Sequence, residues 1–309
     1  RVAIRGNEVT RDKVILRELR GLTPGRRFDR TKVNETEERL STGPFFSEAT
    51  VAMLGDPDDP VRDVLVEVKE KNTGSVSFGA GISSDAGIIG AIELNQRNFD
   101  ITDWPTSFTE MFNGRAFRGA GQTFNVSIQP GNEVNRYAVS FTEPYIFESD
   151  FSLSTSLFFF TREREDWNEQ RIGGQIGIGR RFGDVWSGSV RFNGQQIDIS
   201  DINAQAPVDV FEVEGTSIIT SVAFVLQRTT VDSTVFPTKG SQFQVGMTQY
   251  GPLGDYSFNK VEASFKKFWT LDTDYRGRKS VLSWRVEAGY IFQNTDAPLF
   301  ERFYAGGHR

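Results

Sequence analysis

Hydrophobic and polar side chains alternate one by one along most of this chain, and residues 1–73 are the exception. There, two stretches recur at helical spacing. Thr10 is placed to cap a helix running to Arg20 with Val14, Ile15 and Leu19 on one face. Asp29 is placed to cap a second, reaching about Leu40, with Val33, Thr36 and Leu40 on one face. Gly21 and Gly43 are suited to stop them. Short strands are predicted at residues 2–5, 48–54 and 61–68; in the last, Val64, Val66 and Val68 alternate with Asp63, Leu65 and Glu67. The order is βααββ, an α+β module. Asp56-Pro57-Asp58-Asp59-Pro60 reads as a solvated hairpin turn on turn chemistry, with a calcium site as the rival use of its carboxylates.

From Gly74 onward the period is two. Phe151, Leu153, Leu157 and Phe159 oppose Ser152, Ser154 and Ser156; Ile172, Ile176, Ile178 and Phe182 oppose Arg171, Gln175 and Arg181. Val261, Ala263, Phe265 and Trp269 oppose Lys260, Glu262, Ser264 and Lys266, and Leu282, Trp284, Val286, Ala288 and Tyr290 oppose Ser283, Arg285 and Glu287. About eleven such strands fit between residues 75 and 293. Many reach the ~9–11 residues a tilted strand needs to cross hydrocarbon, beyond the ~5–6 usual in soluble sheets. Aromatics stand near their ends at Tyr137, Tyr145, Phe147, Trp167, Trp186, Tyr250, Trp269 and Tyr290, as interface girdles require. The pattern predicts an antiparallel transmembrane β-barrel over residues 74–309; a soluble β-sandwich or propeller is the competing fold. Long connections at 98–113, 162–168 and 200–215 are expected to alternate with tight ones at 130–132, 147–150 and 183–184, one set on each rim.

Composition narrows the chemistry. Lys and Arg number 35 against 41 Asp and Glu, a net charge of −6, without the basic excess that binds nucleic acid. There is no Cys and a single His, His308, which removes disulfides, thiolate metal sites, cysteine nucleophiles and histidine triads. No apolar run approaches the ~20 residues of a spanning helix. Arg1-Val2-Ala3-Ile4-Arg5 has no leader pattern and starts inside a strand, so the chain is expected to be an internal piece of a longer precursor. The mixed-sign run at 162–166 reads as a solvated loop, and Gly173-Gly174-Gln175-Ile176-Gly177-Ile178-Gly179 as small positions within a strand, since strand periodicity passes through it.

Several phrases carry a resemblance. Ile4-Arg5-Gly6-Asn7 with Val14-Ile15-Leu16-Arg17-Glu18, followed by the βααββ order, resembles a POTRA domain. Phe141-Thr142-Glu143-Pro144-Tyr145-Ile146-Phe147 resembles the phrase ending an early barrel strand in the BamA family of outer-membrane assembly factors. Val235-Phe236-Pro237-Thr238-Lys239-Gly240 resembles that family's turn before a later strand, and Glu301-Arg302-Phe303-Tyr304-Ala305-Gly306-Gly307 the approach to its inward-folded loop. On turn chemistry alone, Glu143-Pro144 ends a strand and Pro237-Thr238-Lys239-Gly240 makes a turn, so structural roles come before direct contacts. The family barrel has sixteen strands. The resemblance therefore implies five more after Arg309, because an open sheet in a bilayer leaves backbone groups unpaired.

The resemblance implies a bacterial outer-membrane protein with its POTRA domain (residues 1–73) in the periplasm, working without catalytic residues, metal or cofactor. Its implied partners are the lipid bilayer, unfolded outer-membrane clients and accessory assembly lipoproteins. Two open strands would do the work by β-augmentation. One is the first barrel strand, Ser75, Val76, Ser77, Phe78, Gly79, Ala80, Gly81 and Ile82, whose small residues weaken pairing at a seam that must open; an ordinary first strand with small lumenal residues is the equal alternative. The other is the POTRA strand Glu48, Ala49, Thr50, Val51, Ala52, Met53 and Leu54. Two rivals remain: a two-partner secretion transporter built from the same parts, and a soluble glycan binder using Trp104, Trp167 and Trp186 as stacking platforms.

Overall fold

The computed structural model describes residues 1–19, 22, 30–55, 63–83, 87–107, 109–110, 116–233, 236–251, 253–292 and 297–303. The expected module is β1 (Val2–Arg5), α1 (Asp12–Leu16), α2 (Arg30–Thr42), β2 (Phe46–Leu54) and β3 (Asp63–Glu70). Its sheet has the order β1-β3-β2, with β1 parallel and β2 antiparallel to β3. Alternation on β3 aims Val64, Val66 and Val68 at the helices, where they join Ile15, Leu19, Leu40 and Phe46 in one core.

Two helix boundaries differ from the pattern. Among the described residues α1 covers five, and its N-cap is Arg11, not Thr10. Thr10 is committed elsewhere: its amide donates to the Glu70 carboxylate at 2.6 Å, and its hydroxyl accepts from Asn98 at 2.8 Å. Asp29, the turn at 56–60 and Val61 lie outside the described residues. α2 runs to Thr42, two residues past Leu40.

The remaining strands form one 11-stranded sheet in strict sequence order. They are β4 (Gly74–Ser83), β5 (Gly87–Phe99), β6 (Gln122–Gln129), β7 (Val134–Glu143), β8 (Phe151–Glu163), β9 (Asn168–Phe182) and β10 (Trp186–Ser200). β11 (Gly215–Thr229), β12 (Gly240–Tyr250), β13 (Asn259–Thr273) and β14 (Lys279–Phe292) complete it. From β8 to β14 every neighbouring pair is antiparallel.

This order corrects the loop expectation. In a meander, alternate connections share a rim, so the long connection 100–121 shares its rim with the short turns 144–150 and 183–185. The tight turn 130–133 falls on the other rim, with the loops 164–167, 201–214 and 251–258. We call these the turn side and the loop side. Loop length follows what each connection packs against, not the rim alone.

The chain divides into two compact units: residues 1–78, 92–126 and 141–143, and residues 79–91, 127–140 and 144–309. The first holds a polar joint. Asn98 Nδ2 donates to Thr10, its Oδ1 accepts from the Gly121 amide at 2.9 Å, and its carbonyl accepts from the Gly119 amide at 2.8 Å. Arg11 donates its amide to the Gly119 carbonyl at 2.8 Å and pairs through its guanidinium with Asp100, whose side chain is 1% exposed. Gly119 has φ +118°, and a Cβ there would strike the Val9 carbonyl, so only glycine fits this close approach.

Candidate functional site: an exposed apolar wall and open strand edges

Register fixes which residues share a face. Across β8–β10, Leu153 pairs with Ile178 and Ile178 with Val190, while Ser154 pairs with Gly177 and Gly177 with Arg191. The apolar set continues through Phe224, Met247 and Val261 to Tyr290. This is the face that a soluble sandwich would cover, yet Ile176 and Ile178 stand about half exposed, as do Phe224 and Trp284. No segment among the described residues packs over it as a second layer. Contiguous apolar area on this scale is a surface made for a nonaqueous neighbour.

The opposite face is the polar one and is better shielded. Glu169 is 6% exposed and pairs with Arg171. Gly177 belongs to this face: a Cβ there would come within 2.8 Å of Arg191 Cγ and 2.9 Å of Ser154 Oγ, so its small size admits two polar neighbours. Near the loop side this face turns apolar. Ile197, Ile199 and Ile219 share its parity and are buried with Val210 on the short helix α3 (Val208–Phe211), Val213 and Phe258. The stretch read as a polar loop at 200–215 therefore folds over the sheet and contributes to a core. Tyr250, expected in a girdle, also lies on this face. It stacks on Phe258 at 4.2 Å and donates its hydroxyl to Glu301 at 2.9 Å. Its even position in β12 is what turns it away from the wall.

The two expected open strands are edges of their sheets. Among the described strands β4 neighbours only β5. Ser75 through Ile82 are exposed on both faces, Phe78 at 77% and Ile82 at 86%. A Cβ at Gly81 would meet nothing within 4 Å, and one at Gly79 only the Ala91 methyl at 3.7 Å. Neither glycine is required by space, so each weakens the strand without a packing reason. β14, the other edge of the described sheet, is equally exposed, so exposure alone does not single out β4. In the module, β2 neighbours only β3 among the described strands; Glu48, Thr50 and Leu54 are exposed, Ala52 and Met53 half-buried, and Ala49 and Val51 buried. Its free edge is partly occupied, because the Val51 amide donates to the Glu37 carboxylate of α2 at 3.3 Å.

The family phrases take structural places. Glu143 accepts from Gln122 Nε2 at 2.8 Å. Pro144 and Tyr145 leave β7, and the Tyr145 carbonyl accepts from the Glu148 amide at 3.1 Å. Phe236 is 80% exposed and Pro237 follows it into the turn before β12. That turn is held by Asp232, which pattern reading missed. Its carboxylate accepts from the Thr238 amide at 2.8 Å, the Thr238 hydroxyl and the Lys239 amide at 3.1 Å. Those bonds, the Thr238 hydroxyl first, hold the Asp232 carboxyl well below the usual carboxylate range. Gly240 has φ +104° against the Thr230 carbonyl and admits no side chain. Phe303 lies under Lys260 Nζ at 4.5 Å; Tyr304, Gly306 and Gly307 lie outside the described residues.

Comparison with known proteins agrees with this architecture. Residues 1–71 match the model described as a surface antigen variable number repeat, the POTRA family. Residues 116–309 match the Omp85 superfamily domain. The chain belongs to the Omp85 superfamily. Among Omp85-type relatives, the outer membrane protein assembly factor BamA of Nitratidesulfovibrio vulgaris is 30% identical over 99% of this chain and 36% of its own length. The same-named protein of Neisseria meningitidis is 24% identical over 99% of the chain and 38% of its length. The chain thus spans little more than a third of these curated relatives. The crystal structure of BamA from Haemophilus ducreyi lacking POTRA domains 1–3 superposes with a TM-score of 0.69 at 18% identity, covering 99% of this chain and 58% of that one. CdiB from Acinetobacter baumannii does so with a TM-score of 0.56 at 10% identity over 93% and 52%. These two show the Omp85 fold; their sequences are too distant to carry more.

Proposed function

We propose that this chain is the membrane-proximal POTRA module (residues 1–73) and the leading barrel strands (residues 74–309) of an outer-membrane protein assembly factor. The factor inserts and folds client β-barrels, with the module on the periplasmic side. The observation that carries the reading is the exposed apolar wall of β8–β14, joined in one sheet to an open, glycine-weakened edge strand at β4. The names of the relatives matched over 99% of the chain support assembly over secretion. On this reading β4 offers unpaired backbone N–H and C=O groups to an incoming client strand, and β2 of the module offers a second edge to unfolded clients or accessory lipoproteins. The work is strand exchange, and no side chain is asked to act as acid, base, nucleophile or ligand.

The test is reconstitution of the full-length protein in lipid vesicles with urea-unfolded client barrels. Faster appearance of folded, protease-resistant client than in empty vesicles is expected. Unchanged client folding, with export of a soluble passenger instead, identifies a secretion transporter. A monomeric, folded state in detergent-free buffer replaces both with the soluble reading.

A further inference from the structure

The wall differs from one rim to the other. Toward the turn side it carries three basic side chains: Arg180 on β9, Arg228 on β11 and Lys267 on β13. Register puts all three on the apolar face, since Arg180 pairs with Phe151, Arg228 with Trp186, and Lys267 with Trp284. Each cation also lies against a ring: Arg180 at 5.0 Å from the Phe151 centroid, Arg228 at 6.0 Å from Trp186, and Lys267 at 5.9 Å from Trp269. Toward the loop side, the same face presents Gln170, Gln196, Asp198, Thr216, Gln249 and Asn259, and no basic residue from β8 to β14. Among the described residues no carboxylate pairs with Arg228 or Lys267, and the one near Arg180 is the exposed Asp150 at 3.9 Å.

Cations on a face that meets hydrocarbon extend their charged heads to the interface, where an anionic headgroup is a favourable partner. The same face holds a place for the rest of such a molecule. Beside Arg180 lies an open depression of about 600 Å³, walled by Phe182, Phe224, Leu226 and Met247, where Gly188 leaves room. An apolar depression with one cation in its lining is complementary to a molecule with an anionic head and a hydrocarbon tail.

We propose that this row is a binding site for an anionic phospholipid of the turn-side leaflet. Its phosphate pairs with Arg180 and one acyl chain lies in the slot over Gly188, while Arg228 and Lys267, two and four strands away, extend the same basic band to neighbouring headgroups. The site rests on the reading of the wall as bilayer-facing, and it gives β9–β13 a charge-selective contact toward the turn side. Trp186, Trp269 and Trp284 stand beside the cations and report on the bound lipid directly.

The full-length protein, with its other tryptophans replaced by Phe, is placed in vesicles of phosphatidylcholine and phosphatidylglycerol, bromine being carried on the acyl chains of one lipid at a time. Brominated phosphatidylglycerol is expected to quench beyond its mole fraction, a preference of about fivefold. R180Q/R228Q/K267Q brings the preference close to one and R180K/R228K/K267R keeps it. In the unsubstituted cations, salt of about 1 M, which shortens screening to about 3 Å, removes it without any change in folding. Quenching in proportion to mole fraction, or a preference that survives the glutamine triple substitution, overturns the lipid site. Absence of quenching by both brominated lipids overturns instead the bilayer-facing wall beneath it.

Discussion

The POTRA module and the sheet of β8–β14 use the same alternation and meet opposite surroundings. Val64, Val66 and Val68 of β3 are 8%, 0% and 7% exposed; Ile172, Ile176 and Ile178 of β9 are 52%, 49% and 51% exposed. The residue types and the period are alike. What differs is cover: α1 and α2 lie over the module's sheet, whereas no layer of this chain lies over the wall among the described residues. Alternation settles which side chains share a face, and the presence or absence of a covering layer settles which face is dry.

The largest effect is expected where the two regions present edges. A cysteine pair joining Gly79 of β4 to the last strand of the full-length barrel should abolish client insertion into vesicles, and reduction should restore it; the space around Gly79 admits the added side chain. Undiminished insertion after complete crosslinking removes the seam at β4 while leaving the edge at β2 in play. Next in size is the module's core. Leu40, 2% exposed, replaced by Ala should cost about 2–5 kcal/mol, read as faster amide exchange in β1–β3 with β8–β14 unaltered. Ile176→Arg then tests the wall. In a bilayer it should cost about 2–4 kcal/mol in urea titrations of vesicle-bound protein. On a water-facing surface the same change stays within about 0.5 kcal/mol, so a null result there would place the wall in water.

Much of this was legible because strands repeat. The βααββ order, the eleven strands and the apolar face all follow from side-chain period, which is local. What escaped was set by partners distant in sequence. Thr10 has the chemistry of a helix cap, but Asn98 and Glu70 claim it, and neither is visible from residues 10–20. Ile197 and Ile199 continue the polar face of β10 by parity, and only the folding back of 201–214 makes that face apolar at one rim. The place of Tyr250 at a strand end groups it with girdle aromatics, and its parity is the signal that separates it from them. The family phrase before β12 was readable as a turn, yet the residue that holds the turn, Asp232, lies outside the phrase.

The smallest effect belongs to the turn side, where the sheet's connections meet water and behave like the surface of the module. Asp232 is held below the usual carboxylate range by the Thr238 hydroxyl and then by the Thr238 and Lys239 amides. Asp274 is lowered by the Arg278 side chain first, then by the Arg278 and Arg276 amides. A carboxyl depressed in the folded turn stabilises it fully above its unfolded value, and that contribution is lost as pH falls toward the folded one. Both turns should therefore hold at neutral pH and begin to open below about pH 4. The expected signature is an acid-dependent shift of the Thr238 and Lys239 amide resonances that Asp232→Asn removes, while the amides of β9 stay fixed. Coincident movement of the strand amides would mean that acid acts on the sheet as a whole, and the separation between a watery rim and an oily wall would fail at the point where the two meet.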